Sequence, residues 1–196
     1  MKKYAEENKE NSMNLSEQSD PRDVLNQSTL IADKQEVMDA VNRMAVAINE
    51  HYGDEEIVMV VVMVGGMMPA AWLLSRLKMP VRIDFIHATR YQGQTEGGEL
   101  EFRVPTRLNL QNQKVLIVDD IYDVGLTLNL IESYCESRGA KSVESAVLVR
   151  KLHDRETTES KPRFIGMDVE DKYVFGCGMD AFEHWRHLDD IRALKT

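Results

Sequence analysis

The chain has 196 residues, with 33 Asp and Glu against 24 Lys and Arg and a formal net charge of −9. That acidic balance weighs against a basic face for nucleic acid, and no window approaches the roughly 18 apolar residues of a membrane span. Two distant cysteines, Cys135 and Cys177, form no CxxC pair, so buried thiols in a reducing, cytoplasmic setting are expected.

Residues 1 to about 20 are polar, charged and aperiodic, and are expected to form a disordered tail. Two early lysines are not followed by an apolar segment, so this is not a secretory signal. The first ordered element is predicted to be a helix from Asp33 to Tyr52. Asp33 and Glu36 have the spacing of a capping box, and Val37, Val41, Met44, Ala45 and Ile48 share one face. Ile57 to Val64 is an unbroken, mostly β-branched run, as in a parallel strand buried on both faces. Gly65 and Gly66 end it. A short helix is predicted in AAWLLSRL with Pro69 near its start, then a strand from Val81 to His87.

Residues 89–98, TRYQGQTEGG, read as a long glycine-rich flap, and Glu99 to Val104 as its returning strand. VLIVD is the next buried strand, and Leu126 to Arg138 a helix stopped by Gly139. Strands are predicted at Ser142–Val149, in RFIGM and in KYVFG. Strands alternating with helices imply an α/β fold with a mostly parallel sheet.

The chemistry concentrates in VLIVDDIYDVGLTL, Val115 to Leu128. The loop after the strand lacks both GK[ST] and GxGxxG, so it is neither a Walker loop nor a dinucleotide fingerprint. Amides from Asp123 through Val124, Gly125 and Leu126 to Thr127 lie at the start of a helix, where the dipole favours an anion. Carboxylates cannot face that anion, because like charges in contact repel. Asp119, Asp120 and Asp123 must face hydroxyls, a metal ion or a group whose proton moves. The string therefore reads as a sugar-phosphate site.

VLIVDDIYDVGLTL resembles the phosphoribosyl-pyrophosphate motif of the type I phosphoribosyltransferases. With VVMVGGMMPAAWL, DFIHATRYQGQTEGGE, LVRKLHDR and DKYVFGCGMDAFEHWRHL, the resemblance is to the hypoxanthine-guanine branch, over about Ser28 to Leu194. It implies one domain over 21–196, with a core over about 53–150 and a hood from 21–52 and 151–196. It also implies Mg2+-dependent transfer of ribose 5-phosphate from phosphoribosyl pyrophosphate to N9 of hypoxanthine or guanine, with pyrophosphate released. Purine salvage in the cytoplasm by a homodimer or homotetramer, without nucleic-acid or membrane partners, belongs to the same expectation.

Residue by residue, the resemblance gives Asp119 and Asp120 the ribose hydroxyls, directly or through metal, and makes Asp123 the general acid/base at the imidazole part of the base. The loop of Asp123, Val124, Gly125, Leu126 and Thr127 would take the 5-phosphate. Lys151 would contact the 6-oxo group, with Arg150 the next candidate. Tyr173 would stack on the base and the Val174 carbonyl would meet the 2-position. Gly65, Gly66, Arg155 and Arg186 would serve pyrophosphate, Asp180 would bind metal, and Tyr91 would sit in the lid. Val124 departs from the family's usual threonine, and Val64 stands where some relatives have lysine. His87, His153, His184 and His187 show no zinc-ligand spacing. Two other readings use the same motif: a receiver domain, in which the acid pair would follow the first strand, and an RNA-binding regulatory relative, which would need a basic face.

Overall fold

The computed structural model describes residues 20–90 and 100–195. Its centre is a six-stranded sheet in the order β4-β3-β2-β5-β6-β7. Those strands are β2 (Ile57–Val62), β3 (Val81–Arg90), β4 (Leu100–Val104), β5 (Lys114–Tyr122), β6 (Ser142–Leu152) and β7 (Phe164–Glu170). All neighbouring pairs are parallel except β3 with β4.

The apolar runs of β2 and β5 are buried on both faces, as parallel central strands require. Alternate residues go to opposite sides. Met59, Val61, Leu116 and Val118 join one cluster with helix α2 (Lys34–Tyr52) and helix α3 (Met67–Leu74). Val58, Val60, Val115 and Ile117 join the other, with helix α4 (Leu126–Ser137). Each such buried aliphatic side chain contributes roughly 1.5–3 kcal/mol. Asp33 caps α2 through the predicted box: the Glu36 amide donates to its carboxylate, and the Asp33 amide donates to the Glu36 side chain.

The sheet runs outward in both directions from the β2–β5 pair. From β2 the chain passes through α3 to β3 on one side; from β5 it passes through α4 to β6 on the other. The crevice beyond the carboxyl ends of β2 and β5 is therefore the topological switch point, where ligands bind in open parallel sheets.

Several elements differ from the sequence reading. Asp33 does not begin the ordered chain: helix α1 (Pro21–Asn26) and strand β1 (Ser28–Ala32) precede it. β1 pairs antiparallel with β9 (Ile191–Leu194), which pairs with β8 (Val174–Phe175), forming a second sheet of three strands. Among the described residues this five-residue strand pairs only with one at the other end of the chain, which leaves little local signal. β2 stops at Val62, two residues early, and α3 begins at Met67, making Pro69 its third residue. β3, β5, β6 and β7 all run past their expected ends. Helix α2, expected with the hood, packs on β7 and α3 of the main sheet, because Val37, Val41, Met44 and Ile48 form its apolar face. β7 also lies in that sheet rather than in the hood. Of the expected flap, Thr89 and Arg90 belong to β3; the rest through Gly98, with Tyr91, lies outside the described residues, as does nearly all of the expected tail.

Candidate active site

The acid pair is at the end of β5, inside the strand rather than after it. Asp119 and Asp120 are 9% and 8% exposed, so both carboxylates are nearly withdrawn from water. The Asp120 amide donates to Asp119 Oδ1 at 2.9 Å. Burial is the main cause that raises both carboxyls above the ordinary carboxylate range; the Asp120 charge adds to the rise at Asp119, and Arg186 opposes it at both.

The turn after β2 closes over this pair. A side chain at Gly65 would place its Cβ 1.9 Å from Asp120 Oδ2, and one at Gly178 would meet the Gly65 carbonyl at 2.1 Å. Gly65 therefore lets backbone lie directly against the Asp120 carboxylate. Gly66 caps α3. Arg186 reaches in from the 176–188 loop: it donates to the Gly178 carbonyl at 2.7 Å and lies 4.0 Å from Asp120 and 2.6 Å from Asp180.

Asp123, Val124 and Gly125 form the loop into α4. Gly125 has φ +85°, the left-handed region that favours glycine, and no side chain caps the helix. The first amides of α4 therefore point into a cavity of about 210 Å³ lined by Asp119 through Leu128 and by Val147. The loop is braced from behind. Thr158 donates its amide to the Val124 carbonyl at 3.0 Å, Tyr122 donates its hydroxyl to the Ser160 carbonyl at 3.0 Å, and Ser160 bonds Asn129 of α4 at 2.8 Å.

An adjoining cavity of about 180 Å³ is lined by Asp120, Ile121, Asp123, Lys151, Tyr173, Val174, Met179 and Asp180. Lys151 is on β6 with its ammonium 3.9 Å from Asp123 and 3.6 Å from Asp171. Arg150, the neighbour, turns to the opposite side of the strand and makes a bidentate pair with Asp168 of β7. Tyr173 is 45% exposed and stacked with Phe182 at 5.9 Å. Arg155 bridges Asp123 and Asp171 at 2.7 and 2.8 Å, rather than standing beside the acid pair. Val64, exposed, lines a separate apolar cavity with Met67, Met68 and residues 183–187.

The structure thus brings together every sequence-expected site residue that it describes, around two adjoining cavities and the glycine turn. Two participants were missed. Asp171 follows β7 and pairs with Lys151 and Arg155. His153, set aside as a metal ligand, lies against Asp123 at 2.9 Å. Its signal was spacing: two residues on from Lys151 at the end of β6, it falls on the same side of the strand.

A parallel α/β sheet with buried paired acids and an anion-binding helix start at its switch point defines a sugar-phosphate-binding protein. The model of the phosphoribosyl transferase domain matches residues 27–181. A hypoxanthine-guanine phosphoribosyltransferase of Staphylococcus epidermidis is 30% identical over 168 residues, spanning 85% of this chain and 93% of that protein. The corresponding Staphylococcus aureus protein is 28% identical over 163 residues, spanning 83% and 90%. A solved hypoxanthine-guanine phosphoribosyltransferase from Bacillus anthracis superposes with a TM-score of 0.80 at 28% identity, covering 85% of this chain and 98% of that one. The chain belongs to the phosphoribosyltransferase family, in its hypoxanthine-guanine branch.

Proposed function

We propose that the protein transfers ribose 5-phosphate from phosphoribosyl pyrophosphate to N9 of hypoxanthine, guanine or both, giving IMP or GMP and pyrophosphate. The observation that carries this reading is the adjacency of three environments at one crevice. An uncapped helix start suits the 5-phosphate, a buried acid pair suits the ribose, and a cavity beside Asp123, Lys151 and Tyr173 suits a flat oxopurine.

The roles follow from charge and placement. Amides from Asp123 to Thr127 bind the 5-phosphate. Asp119 and Asp120 orient the ribose hydroxyls. Lys151, three-quarters or more buried and positively charged, meets the 6-oxo group, while Tyr173 stacks on the rings and the Val174 carbonyl reads the 2-position. Asp123 accepts or returns the imidazole proton as the bond from N9 to the anomeric carbon forms and the bond to pyrophosphate breaks. Arg186 and the Gly65–Gly66 turn receive pyrophosphate, and Arg155 joins them by releasing Asp123. The three-stranded sheet carrying Val174 forms the hood over the base.

The donor set fits Mg2+. Two buried carboxylates beside a single guanidinium need positive charge, and Mg2+ uses one or two carboxylates together with water and substrate phosphates. Among the described residues no three His, Cys, Asp or Glu side chains form a metal cage. Asp119 and Asp120 would hold it, with Asp180 once Arg186 moves. When bound, the ion neutralises charge on the leaving pyrophosphate.

A homodimer or homotetramer acting in the cytoplasm belongs to the same reading. Exposed Val64 and Met67 beside the 183–187 loop supply an apolar surface for self-association, and phosphorylated substrates are retained inside cells.

The test is nucleotide formation with Mg2+, phosphoribosyl pyrophosphate and each of hypoxanthine, guanine, xanthine and adenine. Product with an oxopurine and little with adenine is expected. Lys151→Ala should raise KM for the oxopurine about tenfold, the worth of one charge-assisted hydrogen bond. Unchanged kinetics in that variant would remove Lys151 from the base site.

A further inference from the structure

Resting on the reading of Asp123 as the group that moves the base proton, we infer that His153 is its positioning residue. His153 follows directly after β6 and its side chain is 4% exposed. Its Nδ1 accepts the backbone amide of Arg155 at 3.2 Å. A ring nitrogen that accepts carries no proton, so in the neutral imidazole the proton is on Nε2. Nε2 is 2.9 Å from Asp123 Oδ1, but out of line for a hydrogen bond, and makes none with any described residue. A buried N–H with one carboxylate within reach and no other partner is strongly driven to bond it. Catalytic contacts are often misaligned until substrate is bound.

The cationic side chains around Asp123 cannot do this job. Arg155 is on the same oxygen at 2.7 Å, but it is 47% exposed and shared with Asp171. Its proposed role draws it towards pyrophosphate. Lys151 stands 3.9 Å from Oδ2 and is assigned to the 6-oxo group. His153 alone is buried, fixed by backbone and free of a substrate contact. It ties Oδ1 and so turns Oδ2 towards the base cavity. Fixing a carboxylate in this way acts on turnover, because orientation matters where the proton moves.

The experiment measures kcat and KM for wild type, His153→Phe, His153→Gln, Asp123→Asn and the Phe/Asn double variant, with hypoxanthine, phosphoribosyl pyrophosphate and Mg2+. Phenylalanine keeps the ring and removes the donor; the Gln amide nitrogen returns a donor near the place of Nε2. Expected are a fall in kcat of about tenfold for His153→Phe, a phosphoribosyl-pyrophosphate KM within about twofold of wild type, and recovery of most of the loss by His153→Gln. In the Asp123→Asn background, His153→Phe should cost less than about twofold, because the residue acts through Asp123. A loss that persists undiminished in that background overturns the inference, as does a single variant with wild-type kcat or a Gln variant no better than Phe. His153→Leu, smaller and equally without a donor, serves the same cycle should the Phe variant not fold. Wild type inactive with every purine would overturn the reading of the site itself; wild type active with an indifferent His153 overturns only the inference drawn here.

Discussion

Gly65 and Asp120 are the tightest contact between two parts of the site. The glycine has no positive φ to explain it; what it avoids is a Cβ 1.9 Å from the Asp120 carboxylate. An alanine there is compatible with its backbone and incompatible with its neighbour. Gly65→Ala should therefore displace Asp120 and raise the KM for phosphoribosyl pyrophosphate about tenfold or more, by disturbing one buried charged contact. Thermal unfolding and substrate-saturation curves on the same preparation check this: a raised KM in a folded variant is the expected result, and an unaltered KM removes Gly65 from the substrate loop. Val124 becomes less odd at this scale. Its carbonyl is held by the Thr158 amide, so the loop has its backbone brace without a side-chain hydroxyl at that position.

At the scale of elements, the site depends on strands that end where their carboxylates and loops are needed. Much of this was legible. An uninterrupted VLIV run must be a buried strand, Asp-Asp must fall near its end, and glycine followed by a helical pattern must start α4. What could not be read was partnership at a distance. β1 and β9 are short, and their pairing joins Ser28 to Leu194 across nearly the whole chain. The strand ends were also misread, since Asp119 and Asp120 are polar residues inside β5, tolerated there because they face a crevice. Asp84 shows a polar residue inside a strand with a different purpose. It is buried in β3 and accepts three backbone amides: Phe85 at 2.9 Å, Arg107 at 2.6 Å and Leu108 at 2.7 Å. It ties the chain entering β5 to the sheet. Asp84→Ala leaves those donors without their acceptor and should cost about 3 kcal/mol, lowering Tm by roughly 6–12 °C. Calorimetry measures it; a Tm within about 2 °C of wild type would mean that water replaces the carboxylate.

Among the described residues, burial also holds two thiols and a phenol in their protonated forms. Cys135 and Cys177 are both pushed from their ordinary value of 9.0 up to about 12, and Tyr52 is pushed upward as well, in each case chiefly by burial. The sign follows from proton counts. Between pH 9 and about 12 the unfolded thiols have lost protons that the folded ones retain, so the folded state binds more protons there. The stability these groups contribute is complete below pH 9 and is lost as pH rises through that window. Tm measured from pH 7 to 11 should fall in the upper half of the range, and less steeply in Cys177→Ala, whatever the cavity costs at neutral pH. Parallel slopes for the two proteins would show that the thiol is not the cause.

The fold as a whole serves one reaction, transfer of an activated sugar to a purine. The most direct test is the product ratio from hypoxanthine and phosphoribosyl pyrophosphate with Mg2+. IMP and pyrophosphate are expected in equal amounts, both dependent on the base. Pyrophosphate released with no IMP, or no consumption of phosphoribosyl pyrophosphate at all, would contradict the proposed transfer.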